Sequence, residues 1–144
     1  MRADWPRHAG SIERDGEDYF WRARSSPSSE QRDLIRSGQS LPIAGSAVVT
    51  MSRPSALCET VVLQLKPPHR FDEHVDGVVL VNETLLVGPT QDCHIRCRES
   101  SDRAVITRRG DKWMAKAGLS GDFEELKPGR RMTLRTLAMT LEEA

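Results

Sequence analysis

A chain of 144 residues can bury one core of ordinary size or two very small ones. Its 21 Lys and Arg balance 21 Asp and Glu, and a net charge of zero argues against a strongly basic nucleic-acid binder and against an acidic solvating tail. At 38% hydrophobic and 29% charged residues the chain is polar, yet too rich in Val, Leu and Ile to stay disordered.

No apolar run approaches the ~20 residues that a membrane-spanning helix needs. The opening MRADWPRHAG has no apolar stretch of the kind that marks a secretory leader. Three cysteines, an odd number, do not make a disulfide framework. The expectation is a soluble protein of a reducing, cytoplasmic compartment, with neither nucleic acid nor membrane as partner.

Gly, Pro, Asn and Asp punctuate the chain at short intervals, and the runs between them are rich in Val, Leu, Ile and Thr. That pattern predicts a multi-stranded β protein. Ile12 to Arg14, the turn signal Asp15-Gly16, and Asp18 to Arg24 read as a hairpin. One helix of about two turns is expected from Ser28, where Gln31 gives capping-box spacing, through Leu34 and Ile35 to a stop at Gly38; the alternative is a polar loop from Ser25 to Ser40. Ser46 to Met51 and Glu59 to Lys66 follow as strands. In the second of these, Val61, Leu63 and Leu65 share a face opposite Val62 and Gln64. Gly77 to Val81 and Thr84 to Val87 flank Asn82-Glu83 and predict a tight hairpin. Cys93, Ile95 and Cys97 alternate with His94 and Arg96. Ala104 to Arg108 and Lys112 to Ala117 form a hairpin about Arg109-Gly110-Asp111, and Met132 to Leu134 and Leu137 to Leu141 end the chain. The total is about eleven short strands, and the expected fold is an all-β sandwich. Its core is expected to draw on Ile12, Trp21, Val48, Val61, Leu63, Val79, Leu85, Val87, Ile95, Ile106, Trp113, Leu126 and Leu141.

The chain also repeats itself. SIERDGEDYFWRAR (Ser11 to Arg24) matches VITRRGDKWMAK (Val105 to Lys116), with Ile12, Arg14 and Gly16 on Ile106, Arg108 and Gly110. Trp21 and Ala23 fall on Trp113 and Ala115 if two residues are inserted after the turn. Each copy continues into a Leu-Pro-Gly element, LPIAG or LKPG, and then a strand pair. Residues 1–66 therefore read as a half-module and residues 67–144 as a full one, packed as one unit.

TLLVGPTQDCHIRC resembles the opening of a forkhead-associated (FHA) domain, where a strand ends in Gly-Arg and a polar-apolar strand follows. LKPGRRMTLRTLAMTLEE is similar to that family's closing stretch, and Arg7-His8-Ala9 in WPRHAGSI resembles its Ser-x-x-His segment. The resemblance implies an eleven-strand sandwich whose loops bind phosphothreonine peptides, within bacterial signalling. Phosphate recognition needs an Arg and hydroxyl donors. Here Gly88 matches the family Gly, Pro89 stands where its Arg is expected, and Trp5 where its Ser is expected. The candidate phosphopeptide-binding residues are Ser100, Ser101 and Arg103, with Thr90 and Arg96 on neighbouring loops.

Three other constellations stand out in the sequence. Cys93-His94-x-x-Cys97 has one pair of metal-ligand residues on a strand face and no second CxxC, so structural cysteines are expected. His69, Asp72, Glu73 and His74 cluster about Phe71; a small metal-dependent enzyme could use His69, Asp72 and His74, but a solvated loop is preferred. Arg108, Arg109 and Lys112 with Arg130, Arg131 and Arg135 read as a basic patch or as a charged rim that prevents edge pairing. No catalytic residue, metal or cofactor is expected. The function expected is a non-catalytic protein-interaction module, with a structural assembly domain that has lost phosphate binding as the alternative.

Overall fold

The computed structural model describes residues 9–24, 31–43, 45–69, 75 and 77–142. The fold is all-β, with no helix among the described residues and thirteen short strands where about eleven were expected. Contacts within the chain gather into two compact units. The first comprises Met1–Arg53 and Val61–Leu80, the second Pro54–Thr60 and Val81–Ala144.

The first unit has two three-stranded sheets. Strand β1 (Gly10–Asp15) pairs antiparallel with β2 (Asp18–Ala23), and β2 with β3 (Asp33–Ile35). Strand β4 (Val49–Ser52) pairs with β5 (Val61–Leu65), and β5 with β6 (Val78–Leu80). Side chains of both sheets share one core: Tyr19, Trp21 and Ile35 from the first, Val49, Met51, Val61 and Leu63 from the second, with Leu41. Period-2 alternation explains the choice, because Tyr19, Trp21 and Ala23 point one way while Phe20 and Arg22 point the other.

The helix expected from Ser28 to Gly38 is replaced by β3. Leu34 and Ile35 lie opposite Phe20 and Tyr19, and Ile35 is buried while Leu34 is exposed. Alternation across a sheet edge suits such a short apolar pair better than a two-turn helix, which is marginal alone. Ser28 lies outside the described residues. The tight hairpin expected about Asn82-Glu83 is also absent, because β6 pairs with β5 and joins the first unit.

In the second unit, β7 (Thr84–Gly88), β8 (Ile95–Arg96), β9 (Ala104–Arg109), β10 (Lys112–Ala117) and β11 (Glu124–Glu125) form one sheet in the order β11-β10-β9-β7-β8. Strands β12 (Arg131–Leu134) and β13 (Leu137–Thr140) form a hairpin. Leu86, Cys93 and Val105 pack together under Phe123 on one side of the sheet. Leu85, Ile106 and Ala115 lie across from one another on the opposite side, all buried.

Several side chains expected in the core lie elsewhere. Ile95 is 43% exposed because β8 is a two-residue edge strand, and Ile12, Val48, Val79, Trp113 and Leu141 are only partly buried. In β4 the buried set is Val49 and Met51, so the apolar face is one residue out of phase with the expected one. In β5 both Val62 and its neighbours are buried, and only Gln64 is exposed.

The internal repeat is visible as topology. Hairpins β1–β2 and β9–β10 have six-residue strands joined by two residues, at a constant offset of 94: Gly10 to Ala104, Gly16 to Gly110, Ala23 to Ala117. Gly16 and Gly110 both sit in the left-handed region, with φ of 60° and 62°, which tight hairpin turns demand. No insertion follows the first turn. Trp21 therefore corresponds to Ala115 and Tyr19 to Trp113, which corrects the match of tryptophan on tryptophan. A third strand (β3 or β11) and a strand pair (β4–β5 or β12–β13) complete each copy.

Candidate functional site

Three connections of the second unit carry the candidate residues: β7–β8 (Pro89 to His94), β8–β9 (Cys97 to Arg103) and the β12–β13 turn (Arg135–Thr136). The first two are held at their base by Gly88. A Cβ there would lie 3.2 Å from the Arg103 Cα and the Cys93 Sγ, so a glycine lets the loops close over the strand end.

Arg103 is the centre of the first group. Its Nη2 donates to the Thr90 hydroxyl at 2.7 Å and to Asp92 Oδ1 at 3.1 Å, while Nη1 lies 3.1 Å from Asp92 Oδ2. The guanidinium thus grips the carboxylate with both nitrogens. A hydrogen bond from the Thr90 hydroxyl, aided by the Asp92 backbone N–H and the Arg103 charge, holds the Asp92 carboxyl below the usual carboxylate range. Arg96 Nε donates to the Pro89 carbonyl at 3.3 Å, so its charge lies against the same loop.

Ser100 belongs to a second group. Its hydroxyl accepts from the Asp102 N–H at 3.1 Å and lies 2.9 Å from the Thr136 hydroxyl. Asp102 Oδ2 accepts from both the Thr136 hydroxyl (2.6 Å) and N–H (3.2 Å), and Arg135 Nη1 stands 3.5 Å from Oδ1. The Thr136 hydroxyl is the main cause that lowers the Asp102 carboxyl, with the Thr136 N–H and Arg135 contributing. Arg135 adopts φ of 54°, unusual for a residue with a side chain. Ser101 is exposed between the groups.

Of the five candidates, Thr90, Arg96 and Arg103 therefore meet on the β7–β8 loop, while Ser100 is turned toward the β12–β13 turn. Sequence reasoning missed Asp92, Asp102, Arg135 and Thr136. The signal available was that Asp92 and Asp102 stand within two residues of Thr90 and Ser100, and carboxylates beside hydroxyls and arginines pair with them. Arg135 was seen only as part of a basic patch.

Acidic residues interrupt that patch. Arg108 and Lys112 border a cleft of about 430 Å³ with Trp113, Asp111, Glu125 and Glu142, while Arg130 and Arg131 border another of about 440 Å³ with Glu124, Glu125 and Lys127. Lys112 lies 3.4 Å from Glu125, and Arg109 stacks on Phe123 at 4.5 Å. Acidic residues thus interleave with the basic ones.

The cysteine–histidine motif is built differently from the alternating strand expected. Cys93 and His94 are both buried, in the turn before β8. His94 Nδ1 accepts the Leu86 N–H at 3.0 Å, so the proton of the neutral ring sits on Nε2, beside the Thr60 backbone and 3.3 Å from Cys58 Sγ. Burial lowers the pKa of His94 below that of an ordinary imidazole. A neutral ring braced in this way is not the partner of a thiolate–imidazolium nucleophile. No group of three or more metal-ligating side chains occurs among the described residues. His69 lies 3.4 Å from the Ser46 hydroxyl, and Asp72, Glu73 and His74 fall outside the described residues. No helix among the described residues is long and apolar enough to cross a membrane.

A comparison with family models, with curated proteins and with solved structures finds no match.

Proposed function

We propose that the chain is a non-catalytic protein-interaction module that reads a phosphorylated segment through the loops of its second unit. One observation carries this reading: the Arg103 guanidinium holds an oxyanion, the Asp92 carboxylate, with two charged N–H donors, and the Thr90 hydroxyl stands on the same guanidinium. Two oxygens of a phosphate present the same acceptor geometry with more charge. The likeness of TLLVGPTQDCHIRC and LKPGRRMTLRTLAMTLEE to FHA domains supports the same reading, as does the position of Arg103 at the end of the β8–β9 connection, against Thr90. A partner met in bacterial cytoplasmic signalling is the setting that likeness implies.

A second reading has its own support. Two arginines of the loop groups already face a carboxylate, Arg103 with Asp92 and Arg135 with Asp102. In a structural assembly domain those pairs would do no more than close the loops. Phosphothreonine peptides titrated against the wild type, Asp92→Asn and Arg103→Met separate the two by calorimetry. Phosphate reading expects phosphate-dependent binding that tightens about tenfold in Asp92→Asn, as one competing charge is withdrawn, and vanishes in Arg103→Met. Equal affinity for phosphorylated and plain peptides in all three proteins would overturn it and favour the structural role.

A further inference from the structure

The two copies of the repeat differ at one edge. In the second unit β9 is flanked by β10 on one side and by β7 on the other. In the first unit β1 is flanked by β2, and among the described residues no strand pairs with its other side. The offset of 94 places β1 on β9, so the open edge of β1 is the counterpart of the edge that β7 occupies.

The backbone is in phase for the same addition. Arg24 N–H bonds to the Ala9 carbonyl, which sets the ladder so that Ser11 and Glu13 bond to β2 and Gly10 and Ile12 turn their N–H and C=O outward. In β9 the counterparts Ala104 and Ile106 lie opposite Val87 and Leu85, and Arg108 N–H bonds to the Glu83 carbonyl. Burial records the difference: Ala104, Val105 and Ile106 are buried, whereas Gly10 and Ser11 are exposed and Ile12 is only partly covered.

We propose that the β1 edge is a docking site for an extended strand of a partner polypeptide, added antiparallel as β7 is added to β9. The register carried over from β7 sets its chemistry. Side chains opposite Gly10 and Ile12 reach the side of the sheet that bears Trp21, so they are apolar. The side chain opposite Ser11 meets a polar neighbour where Leu86 meets Val105 in the second unit, so it is polar. The occupant is an alternating apolar-polar-apolar strand held by main-chain hydrogen bonds. This proposal does not depend on phosphate reading.

The probe is a peptide of residues 82–90 of this chain carrying Leu86→Lys. The lysine suits the place opposite Ser11 and is excluded from the Leu86, Cys93 and Val105 core, so the peptide cannot replace β7 in the second unit. Amide exchange of the full chain, read residue by residue by NMR, is expected to slow about tenfold or more at Gly10 and Ile12 on saturation. N-methylation of the peptide at its Leu85 and Val87 positions, which face β1 in this register, is expected to abolish the effect. Methylation at Thr84 is expected to leave it. No slowing at millimolar peptide overturns the proposal. So does slowing at Ala104 and Ile106 in its place. Protection of Gly10 and Ile12 already present in the free chain also overturns it, since the edge would then be covered by the chain itself or by a second copy.

Discussion

Thr60 offers the sharpest test of how the second unit is held together. It is fully buried, its hydroxyl donates to the Thr84 carbonyl at 2.6 Å, and the same oxygen accepts the Asn82 N–H at 3.1 Å. Thr60→Val keeps shape and volume while removing both hydrogen bonds and leaving a carbonyl and an N–H short of a partner. Each bond contributes about 1 kcal/mol net, and an orphaned partner adds to the cost, so the loss is roughly 2–3 kcal/mol. Thr60→Ser keeps the hydroxyl and removes one methyl group, at roughly 1 kcal/mol. Urea unfolding followed by circular dichroism and by calorimetry should rank wild type above Ser above Val. The Val variant should have its thermal midpoint lowered on the order of 5–15 °C. A Val variant as stable as the Ser variant would refute the argument, because it would mean that shape and not the paired hydroxyl is what the site requires.

Three further outcomes follow from the same structure. The native pKa of His94 lies below that of an unfolded imidazole, so below about pH 6.5 the unfolded chain binds more protons; the stability this gives is full above that pH and is lost as pH falls through the native value. His94→Asn should flatten this limb in a plot of thermal midpoint against pH, and an unchanged limb would contradict the assignment. Asp102 is lowered too, so its contribution is present above the ordinary carboxylate range and fades as pH falls through the native value; Asp102→Asn should reduce the acid sensitivity below about pH 4 in the same measurement. Gly10→Ala would drive a Cβ against the Arg22 carbonyl oxygen and to 2.5 Å from Trp21 Cζ2, an overlap expected to cost about 1–3 kcal/mol. Gly16→Ala meets nothing but asks a side chain to adopt φ of 60°, and should cost about 1 kcal/mol. Tryptophan fluorescence during denaturation ranks the two.

The legible parts of the chain were those where one local signal sufficed. Asp15-Gly16 and Gly110-Asp111 mark turns because glycine alone adopts the left-handed backbone without strain, and the alternation around Tyr19, Trp21 and Ala23 names the buried face. Thr90 and Arg96 are expected on loops neighbouring that of Arg103, but the pairing of Arg103 with Asp92 is not visible in the sequence. A carboxylate two residues from a threonine carries no mark of which distant arginine it will face. Similarly, nothing local in Cys58 or His94 shows that they meet, since 36 residues separate them. The helix expected around Leu34 and Ile35 failed because two adjacent apolar residues fit either period, and the neighbouring edge of β2 decided.

By itself, the order of residues determined that this protein is built of short strands and that it contains one construction twice. Turn chemistry and period-2 alternation act over a few residues, and the repeat is written in matching glycines and aliphatic residues. Only the tertiary structure decided which groups are neighbours: that β6 joins β5 and not β7, that β7 flanks β9 while the equivalent side of β1 has no strand among the described residues, and that Arg103 meets Asp92 and Arg135 meets Asp102. Pairing between segments far apart is chosen by the total of buried area and satisfied hydrogen bonds over the whole sheet, a sum that no short stretch of sequence contains.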